Sequence, residues 1–262
     1  MVVSSPARGR FLLAFAMLPL TSCAGGGGAT PATAAGHLPA GALTVFAAAS
    51  LSAAFTAAEP QLERSNPGFS PRYSFAGSQQ LVTEVVDGAP ADVIATADTD
   101  TMQRLVAAGL VRSPRTFAHN SLEIVVAPGN PKHVRGLADL ARADLAVVLA
   151  DPSVPAGHFA AQVLARAGVT VKARSLELDV EAVLEKVESG DADAGIAYRT
   201  DARAAAGRVG GVPIPAGANV IATYPIAVLA GSRRPTAAAA FVQDALSGDV
   251  HAALVARGFL PP

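Results

Sequence analysis

A short apolar strand followed by small residues and the start of a helix recurs along this sequence. In the first occurrence, residues 44–48 form the strand, Ser50 lies in the turn, and an alanine-rich helical pattern extends to about Arg64. In the second, a strand over residues 70–75 leads to Ser78 at the start of a helix. Strands separated by helix-length connections pair in parallel, so this repetition predicts an α/β fold with doubly wound sheets.

The strand–helix repetition forms two series, which we expect to fold as two lobes. Residues 43–120 form the first series, and residues 121–220 form lobe 2. Residues 221–262 carry one strand, interrupted at Pro225, and two helices, too few elements for a third domain. We therefore assign residues 221–262 to lobe 1, together with the first series. Two strands then cross between the lobes, the first beginning near Ser121, and predict a cleft that closes by hinge motion.

Four strand-to-helix turns, two in each lobe, direct backbone N–H groups towards one point. Ser50 and Ser78 lie in the turns of lobe 1, and Ala156 and Val180 lie at helix starts of lobe 2. Ligands of open α/β sheets bind at the carboxyl ends of the strands, where these turns are. Each helix N-terminus carries about half a positive charge, so four of them suit a dianion. Because FAAASLS, SFAGSQQ and SVPAGH contain no Lys or Arg, we expect dipoles to hold the anion.

Each of these features also has a plain structural interpretation. A single serine in front of a helix is most often its N-cap, and Asp98 and Asp179 are expected to be N-caps. Tyr198, at the end of a predicted strand, would most often be a half-buried core residue with its hydroxyl in water. The shared position of the turns on the fold is therefore what favours a binding site.

Residues 1–42 predict export and anchoring. Residues 1–22 form a signal peptide whose apolar stretch is too short to span a bilayer. The segment LTSC, which ends at Cys23, resembles the lipobox of bacterial lipoproteins and implies lipidation of Cys23 after cleavage before it. Residues 23–42 would then be a lipidated flexible tether. Cys23 is the single cysteine, which excludes an intrachain disulfide.

Composition and spacing exclude several function classes. The formal net charge of -1 gives no support for a nucleic-acid partner. The 5 histidines are scattered without the spacing of metal ligands. A secreted serine hydrolase is an alternative from another class, but no G-x-S-x-G elbow surrounds either candidate nucleophile. Its triad would be drawn from Ser50 or Ser78, His158 or His119, and Asp151. We therefore expect no catalytic residues and no enzyme activity.

Six short motifs occur in order from residue 45 to residue 198. They are VFAAASL (45–51), SFAGS (74–78), GAPADV (88–93), NSL (120–122), DPSVPAG (151–157) and GIAY (195–198). Together they resemble the periplasmic molybdate-binding proteins of ABC importers, which have the two-lobed type 2 periplasmic-binding-protein fold. The resemblance extends from about Leu43 to the C-terminus. It implies that an oxyanion is held by two serines, two backbone amides and a tyrosine, namely Ser50, Ser78, Ala156, Val180 and Tyr198.

The resemblance also implies a transport role. Molybdate or tungstate would be captured outside the cytoplasmic membrane and delivered to an ABC permease by a lipid-anchored monomer. Molybdenum would enter only as part of the oxyanion, with no cofactor. The chain departs from the serine-rich second motif of the family by placing Gly77 and Gln79 beside Ser78.

A receptor for sulfate, thiosulfate or phosphate is the alternative among binding proteins. A donor-rich pocket suits a fully deprotonated dianion, because the proton of a hydrogen-bearing phosphate would need an acceptor, and an unpaired buried group costs about 1–3 kcal/mol. Sulfate is also fully deprotonated, so the size of the cavity must exclude it. Tungstate is nearly the size of molybdate, so we expect little discrimination between these two ions.

Overall fold

The computed structural model describes Met1 and residues 37–262. The predicted signal peptide, Cys23 and most of the predicted tether lie outside the described residues. Within the described part of the chain, no helix combines the length and the apolar character needed to cross a bilayer.

The strands of residues 37–262 alternate with helices along most of the chain. The strands are β1 (Gly41–Ala48), β2 (Phe69–Ala76), β3 (Val93–Ala95), β4 (Arg115–Val126), β5 (Val147–Ala150), β6 (Ser175–Glu177), β7 (Ala194–Tyr198), β8 (Gly210–Pro213) and β9 (Ile221–Val228). The α-helices are α1 (Ser52–Ser65), α2 (Ser78–Val86), α3 (Thr99–Ala107), α4 (Pro155–Arg166), α5 (Val180–Glu188), α6 (Arg199–Ala204), α7 (Pro235–Ser247) and α8 (Asp249–Arg257). Short 3₁₀ turns occupy Ala49–Leu51 and Leu137–Ala141.

Two helices begin at residues whose side chains cap them. The carboxylate of Asp98 accepts a hydrogen bond from the Thr101 amide, 2.8 Å away, at the start of α3. The carboxylate of Asp179 accepts one from the Ala182 amide, 2.9 Å away, at the start of α5. These bonds satisfy amides that have no acceptor within their own helix. Both predicted N-caps are confirmed.

The strands lie in the order β2-β1-β3-β9-β4-β7-β5-β6, and β8 pairs with β4 beside that path. β1 pairs in parallel with β2 and β3, and β5 pairs in parallel with β6 and β7. Between these parallel groups, β9 and β4 run antiparallel to their neighbours. The helices that follow β1, β2, β5 and β6 therefore begin at the carboxyl ends of parallel strands.

Strand β4 joins the two parallel groups. Its residues 115–121 pair with β9, and its residues 122–126 pair with β7. The sequence pattern predicted a strand only from Ser121, and that start is wrong because the first half of β4 depends on pairing with β9. The predicted interruption at Pro225 is also wrong. Pro225 lies opposite Thr116, next to an irregularity in the register, where a residue without an N–H is tolerated.

The C-terminal elements pack against the first part of the chain. β9 pairs with β3, and α8 packs on α1. The rings of Phe55, Phe117 and Phe241 form one cluster, with the Phe55 centroid 6.3 Å from that of Phe117 and 5.9 Å from that of Phe241. Because these three aromatic residues come from α1, β4 and α7, the first and last segments share one core.

Candidate anion-binding site

The five residues proposed from the sequence line a single cavity between the two parallel groups of strands. They are Ser50, Ser78, Ala156, Val180 and Tyr198. The cavity has a volume of about 20 Å³. One water needs roughly 10–15 Å³ of cavity measured in this way, so in this state the cavity has room for a small ion.

Ser50 lies in the 3₁₀ turn between β1 and α1, with its side chain buried. Its hydroxyl oxygen is 3.0 Å from the hydroxyl oxygen of Tyr224 on β9. No side chain caps this turn or α1, so the N-cap interpretation of Ser50 is wrong. When Tyr224 donates the shared hydrogen bond, the proton of Ser50 is free for a ligand.

Ser78 is the first residue of α2 and does not cap it either. Its hydroxyl oxygen accepts a hydrogen bond from the Ala97 amide at 3.0 Å. Because that oxygen already accepts a bond, the hydroxyl proton of Ser78 can be donated elsewhere. Both serines are therefore held by neighbours of lobe 1 in positions where they can donate.

The lobe 2 side of the cavity is made of backbone at helix starts. Val180 is the first residue of α5, and Ala156 follows Pro155 at the start of α4. Amides at these positions have no acceptor within their own helix. A Cβ on Gly157 would collide with the carbonyl oxygens of Ala150 and Asp151, so glycine at this position lets α4 begin against the end of β5.

Tyr198 ends β7 and is only 1% exposed, so its interpretation as a half-buried residue with a hydrated hydroxyl is wrong. Its hydroxyl has no hydrogen-bond partner among the described residues. The hydroxyl of Tyr224 interacts with it and contributes to its raised pKa, but the pair does not meet the geometry of a full hydrogen bond, and the two ring centroids are 5.8 Å apart. Burial, together with Tyr224 and Asp201, raises the pKa of Tyr198 well above its usual value, so the hydroxyl stays a donor. A buried donor of this kind beside a cavity needs a partner that the described residues do not supply, such as an ion.

A buried polar network fixes the end of β7. Asn120 donates to the Thr200 hydroxyl at 2.8 Å, and Asp201 accepts from the Tyr198 amide at 3.2 Å. Burial, with the nearby Glu181, raises the pKa of Asp201 well above its usual value. This network holds the segment that carries the Tyr198 ring.

The electrostatic character of the site comes from dipoles. Of the described residues that line the cavity, only Asp179 carries a charge, and its carboxylate accepts a hydrogen bond from the Ala182 amide. The positive ends of α2, α4 and α5 and the 3₁₀ turn before α1 surround the same space. Such an arrangement favours an anion that needs donors and offers no proton.

The proposed hydrolase triad is not assembled in the described residues. His158 is exposed and its ring nitrogen contacts the Gln162 amide nitrogen at 2.7 Å, while His119 contacts the Thr223 hydroxyl at 3.2 Å. The serine hydroxyls are bound to Tyr224 and Ala97 instead. Within residues 37–262, no group of three or more His, Cys, Asp or Glu side chains is placed to hold a metal ion.

Sequence reasoning missed three contributors to the site. Tyr224 orients Ser50 from a strand 174 positions later, a distance over which no local pattern carries information. Gly77 lines the cavity, and Gln79 contacts the opposite lobe beside it. The sequence shows that Gly77 and Gln79 depart from the serine-rich motif. It does not show their contact with the opposite lobe, on which their role depends.

The chain is similar to known proteins over most of its length. The family model described as bacterial extracellular solute-binding protein matches residues 43–260. The "Molybdate-binding protein ModA" of Mycobacterium tuberculosis (strain H37Rv) is 42% identical over 221 residues, which are 84% of this chain and 85% of the relative.

Solved structures confirm the predicted fold class. The Azotobacter vinelandii periplasmic molybdate-binding protein matches with a TM-score of 0.74 at 21% identity, over 84% of this chain and 99% of its own. The sulfate-binding protein SubI from Mycobacterium tuberculosis also matches with a TM-score of 0.74, at 22% identity, over 84% of this chain and 86% of its own. The chain therefore has the type 2 periplasmic-binding-protein fold.

Proposed function

Because the chain belongs to the bacterial extracellular solute-binding proteins, we propose that it captures molybdate outside the cytoplasm and delivers it to an ABC import permease. The observation that carries this proposal is the Tyr198 hydroxyl, which is buried, unpartnered among the described residues and beside the cavity. Two serine hydroxyls and the amides of two helix starts line the same space. A tetrahedral oxyanion offers an acceptor to each of these donors.

The identity of the ion is proposed from donor chemistry and from the relative. The polar side chains that line the site are mostly donors, and the one carboxylate, Asp179, already accepts from the Ala182 amide, which disfavours a phosphate that carries a proton. Since a molybdate-binding and a sulfate-binding protein match the fold equally well, the fold does not distinguish these ions. The 42% identity to a molybdate-binding protein favours molybdate over sulfate. Tungstate, with nearly the same size, should bind comparably.

The ligand would be captured by closure of lobe 1 (residues 43–120 and 221–262) on lobe 2 (residues 121–220). β4 and β9 are the crossing strands and supply the hinge. The anion docks on one lobe, and the other swings in to complete its shell with the remaining donors. Closure removes water and strengthens every hydrogen bond to the ion.

We propose that capture takes place at the cell envelope, because residues 1–42 carry a predicted signal peptide and a predicted lipidation site. The family is extracellular, which agrees with the predicted signal peptide. Lipidation at Cys23 would anchor the protein to the outer face of the cytoplasmic membrane through the tether, and several acyl chains anchor more stably than one. The protein would act there as a monomer.

A thermal-shift panel with molybdate, tungstate, sulfate and phosphate tests the proposal. A ligand at 100 times its Kd stabilises the folded state by about 2.7 kcal/mol, so molybdate and tungstate should raise the melting temperature clearly. A response to sulfate with none to molybdate would replace the proposed function by sulfate binding.

The variant Ser50→Ala tests whether molybdate binds at the proposed site. Removing one hydroxyl donor to an anion should weaken molybdate binding by about tenfold, as measured by calorimetry. The apo protein should lose about 1–3 kcal/mol of stability, because Ser50 caps no helix but shares a buried hydrogen bond with Tyr224. The exposed Ser70 provides the matched control, and Ser70→Ala should bind as the wild type does. Unchanged binding in Ser50→Ala would place the site elsewhere.

A further inference from the structure

At one edge of the anion cavity, the two lobes touch through a small group of residues. Gln79, on the first turn of α2, donates from its side-chain amide to the backbone carbonyl of Leu178 at 3.0 Å. Leu178 directly precedes Asp179 and Val180, which line the cavity from lobe 2. Gly77 lines the same cavity from lobe 1. The contact therefore joins the two lobes next to the proposed ligand.

Glycine is needed at position 77 because the opposite lobe lies so close, and not because of the backbone conformation there. Its φ of -56° and ψ of 136° are accessible to any residue. A Cβ added at Gly77 would lie 2.6 Å from the Leu178 carbonyl oxygen and 2.5 Å from the Gln79 side-chain nitrogen. The glutamine end can rotate away, but the carbonyl is part of the lobe 2 backbone. A side chain at position 77 would thus keep the lobes apart.

The carboxamide of Gln79 is held inside this junction. Its nitrogen binds the Leu178 carbonyl, and its oxygen is buried without a hydrogen-bond partner among the described residues. By contrast, the Leu178 side chain is 70% exposed and contributes little to the junction. The contact therefore depends on the Leu178 backbone, which a substitution of its side chain does not remove.

We propose that Gly77 and Gln79 form an interlobe latch, in which Gly77 sets how closely the lobes approach and Gln79 holds them closed around the anion. This inference rests on the proposed capture of an oxyanion by closure. Both residues act through lobe position and do not themselves contact the ion in the proposal. Gly77 governs whether closure is complete, and Gln79 governs how long it lasts.

Two variants with matched controls test the latch, using molybdate as the probe. Gly77→Ala should weaken binding by about tenfold to a hundredfold, because overpacking at a fixed backbone contact is costly. Gln79→Ala should bind about two- to tenfold more weakly, through faster dissociation with an unchanged association rate. Gly231→Ala, where a Cβ meets nothing within 4 Å, and Gln80→Ala, whose amide bonds within α2, should behave as the wild type. Leu178→Ala should also bind normally.

Solution scattering and melting curves separate the latch from a folding defect. Gly77→Ala with saturating molybdate should keep a larger radius of gyration than the wild type, while its apo melting temperature is unchanged. The latch is overturned if Gly77→Ala closes fully and binds normally, or if Gln79→Ala leaves the dissociation rate unchanged. If the wild type ignores molybdate, the proposed function fails, and the same comparison is made with whichever anion of the panel raises its melting temperature. If none does, the proposed capture of an oxyanion is overturned and the latch that rests on it is overturned with it, whereas normal closure and binding in Gly77→Ala overturns the latch alone.

Discussion

The two sides of the cavity supply hydrogen-bond donors in different ways. Lobe 1 supplies the hydroxyls of Ser50 and Ser78, each oriented by a neighbour from its own lobe. Lobe 2 supplies the backbone amides of Ala156 and Val180, and one tyrosine hydroxyl that makes no full hydrogen bond within the described residues. The hydroxyls can rotate to follow a ligand, whereas the amides are fixed by their helices. We infer that lobe 2 sets the geometry of the ion and lobe 1 adapts to it.

The sharpest test of that difference removes a fixed amide without disturbing its helix. Val180→Pro deletes one N–H at the first position of α5, where proline is well tolerated. Losing a preorganised hydrogen bond to a dianion should weaken molybdate binding by about a hundredfold in calorimetry.

Val180→Ala keeps the amide and provides the control for Val180→Pro. It should retain binding within a few-fold of the wild type, although it loses buried side-chain volume and some stability. If the alanine and proline variants weaken binding equally, the Val180 amide is not a ligand and the contrast between the lobes fails.

The next largest effect concerns the one side-chain donor of lobe 2. Tyr198→Phe removes a hydroxyl that has no partner among the described residues, so molybdate binding should weaken by about tenfold. The apo protein should melt at the same temperature as the wild type or higher, because an unsatisfied buried group is removed. A lower apo melting temperature would show that the hydroxyl serves the fold and not the ligand.

The smallest expected effect on molybdate affinity comes from acidic residues of lobe 2 beside the cavity. Among the described residues, lobe 1 contributes no acidic side chain to the cavity lining. Glu181, beside Val180, accepts a hydrogen bond from the Ser52 hydroxyl across the cleft at 3.5 Å. Burial, and then the neighbouring Asp179, raises the pKa of Glu181 to about 7. The adjoining pocket is lined by Glu185, Glu188 and Asp201, and by two arginines, Arg208 of lobe 2 and Arg257 of lobe 1.

We expect closure, which brings Ser52 of the opposite lobe against Glu181, to add to this burial and so to take up a proton. The stabilisation of the closed form is therefore complete below the ordinary carboxyl pKa and is lost as pH rises through about 7. Molybdate affinity should fall a few-fold between pH 6 and pH 8, and Glu181→Gln should flatten this dependence. A wild-type affinity that is constant across this range would contradict the proton uptake.

The sequence predicted those parts of the site that depend on local chemistry. The capping residues Asp98 and Asp179 and the helix starts near Ser50, Ser78 and Ala156 follow from patterns a few residues long. Their meeting in one cavity follows from the fold class, because the carboxyl ends of parallel strands face one another across a cleft.

The remainder depended on partners distant in the chain. The first half of β4 contains Arg115, His119 and Asn120, and it is a strand because β9 pairs with it. β8, with the sequence GGVP, has little strand propensity and forms against β4. The burial of Tyr198 and the space at Gly77 are likewise set by residues of other segments.

The return of β9, α7 and α8 to the first part of the chain has a consequence for the order of folding. β3 has only β1 and β9 as strand neighbours, and α1 packs on α8, so lobe 1 lacks part of its core until the last residues have emerged. Lobe 2 with its proposed bounds, residues 121–220, is continuous in sequence and needs no such delay. We expect lobe 2 to fold first after export and lobe 1 to form late, since pairing of β1 and β3 with distant segments carries a high contact order. A chain that ends before Ile221 would therefore leave lobe 1 open to proteolysis while lobe 2 persists.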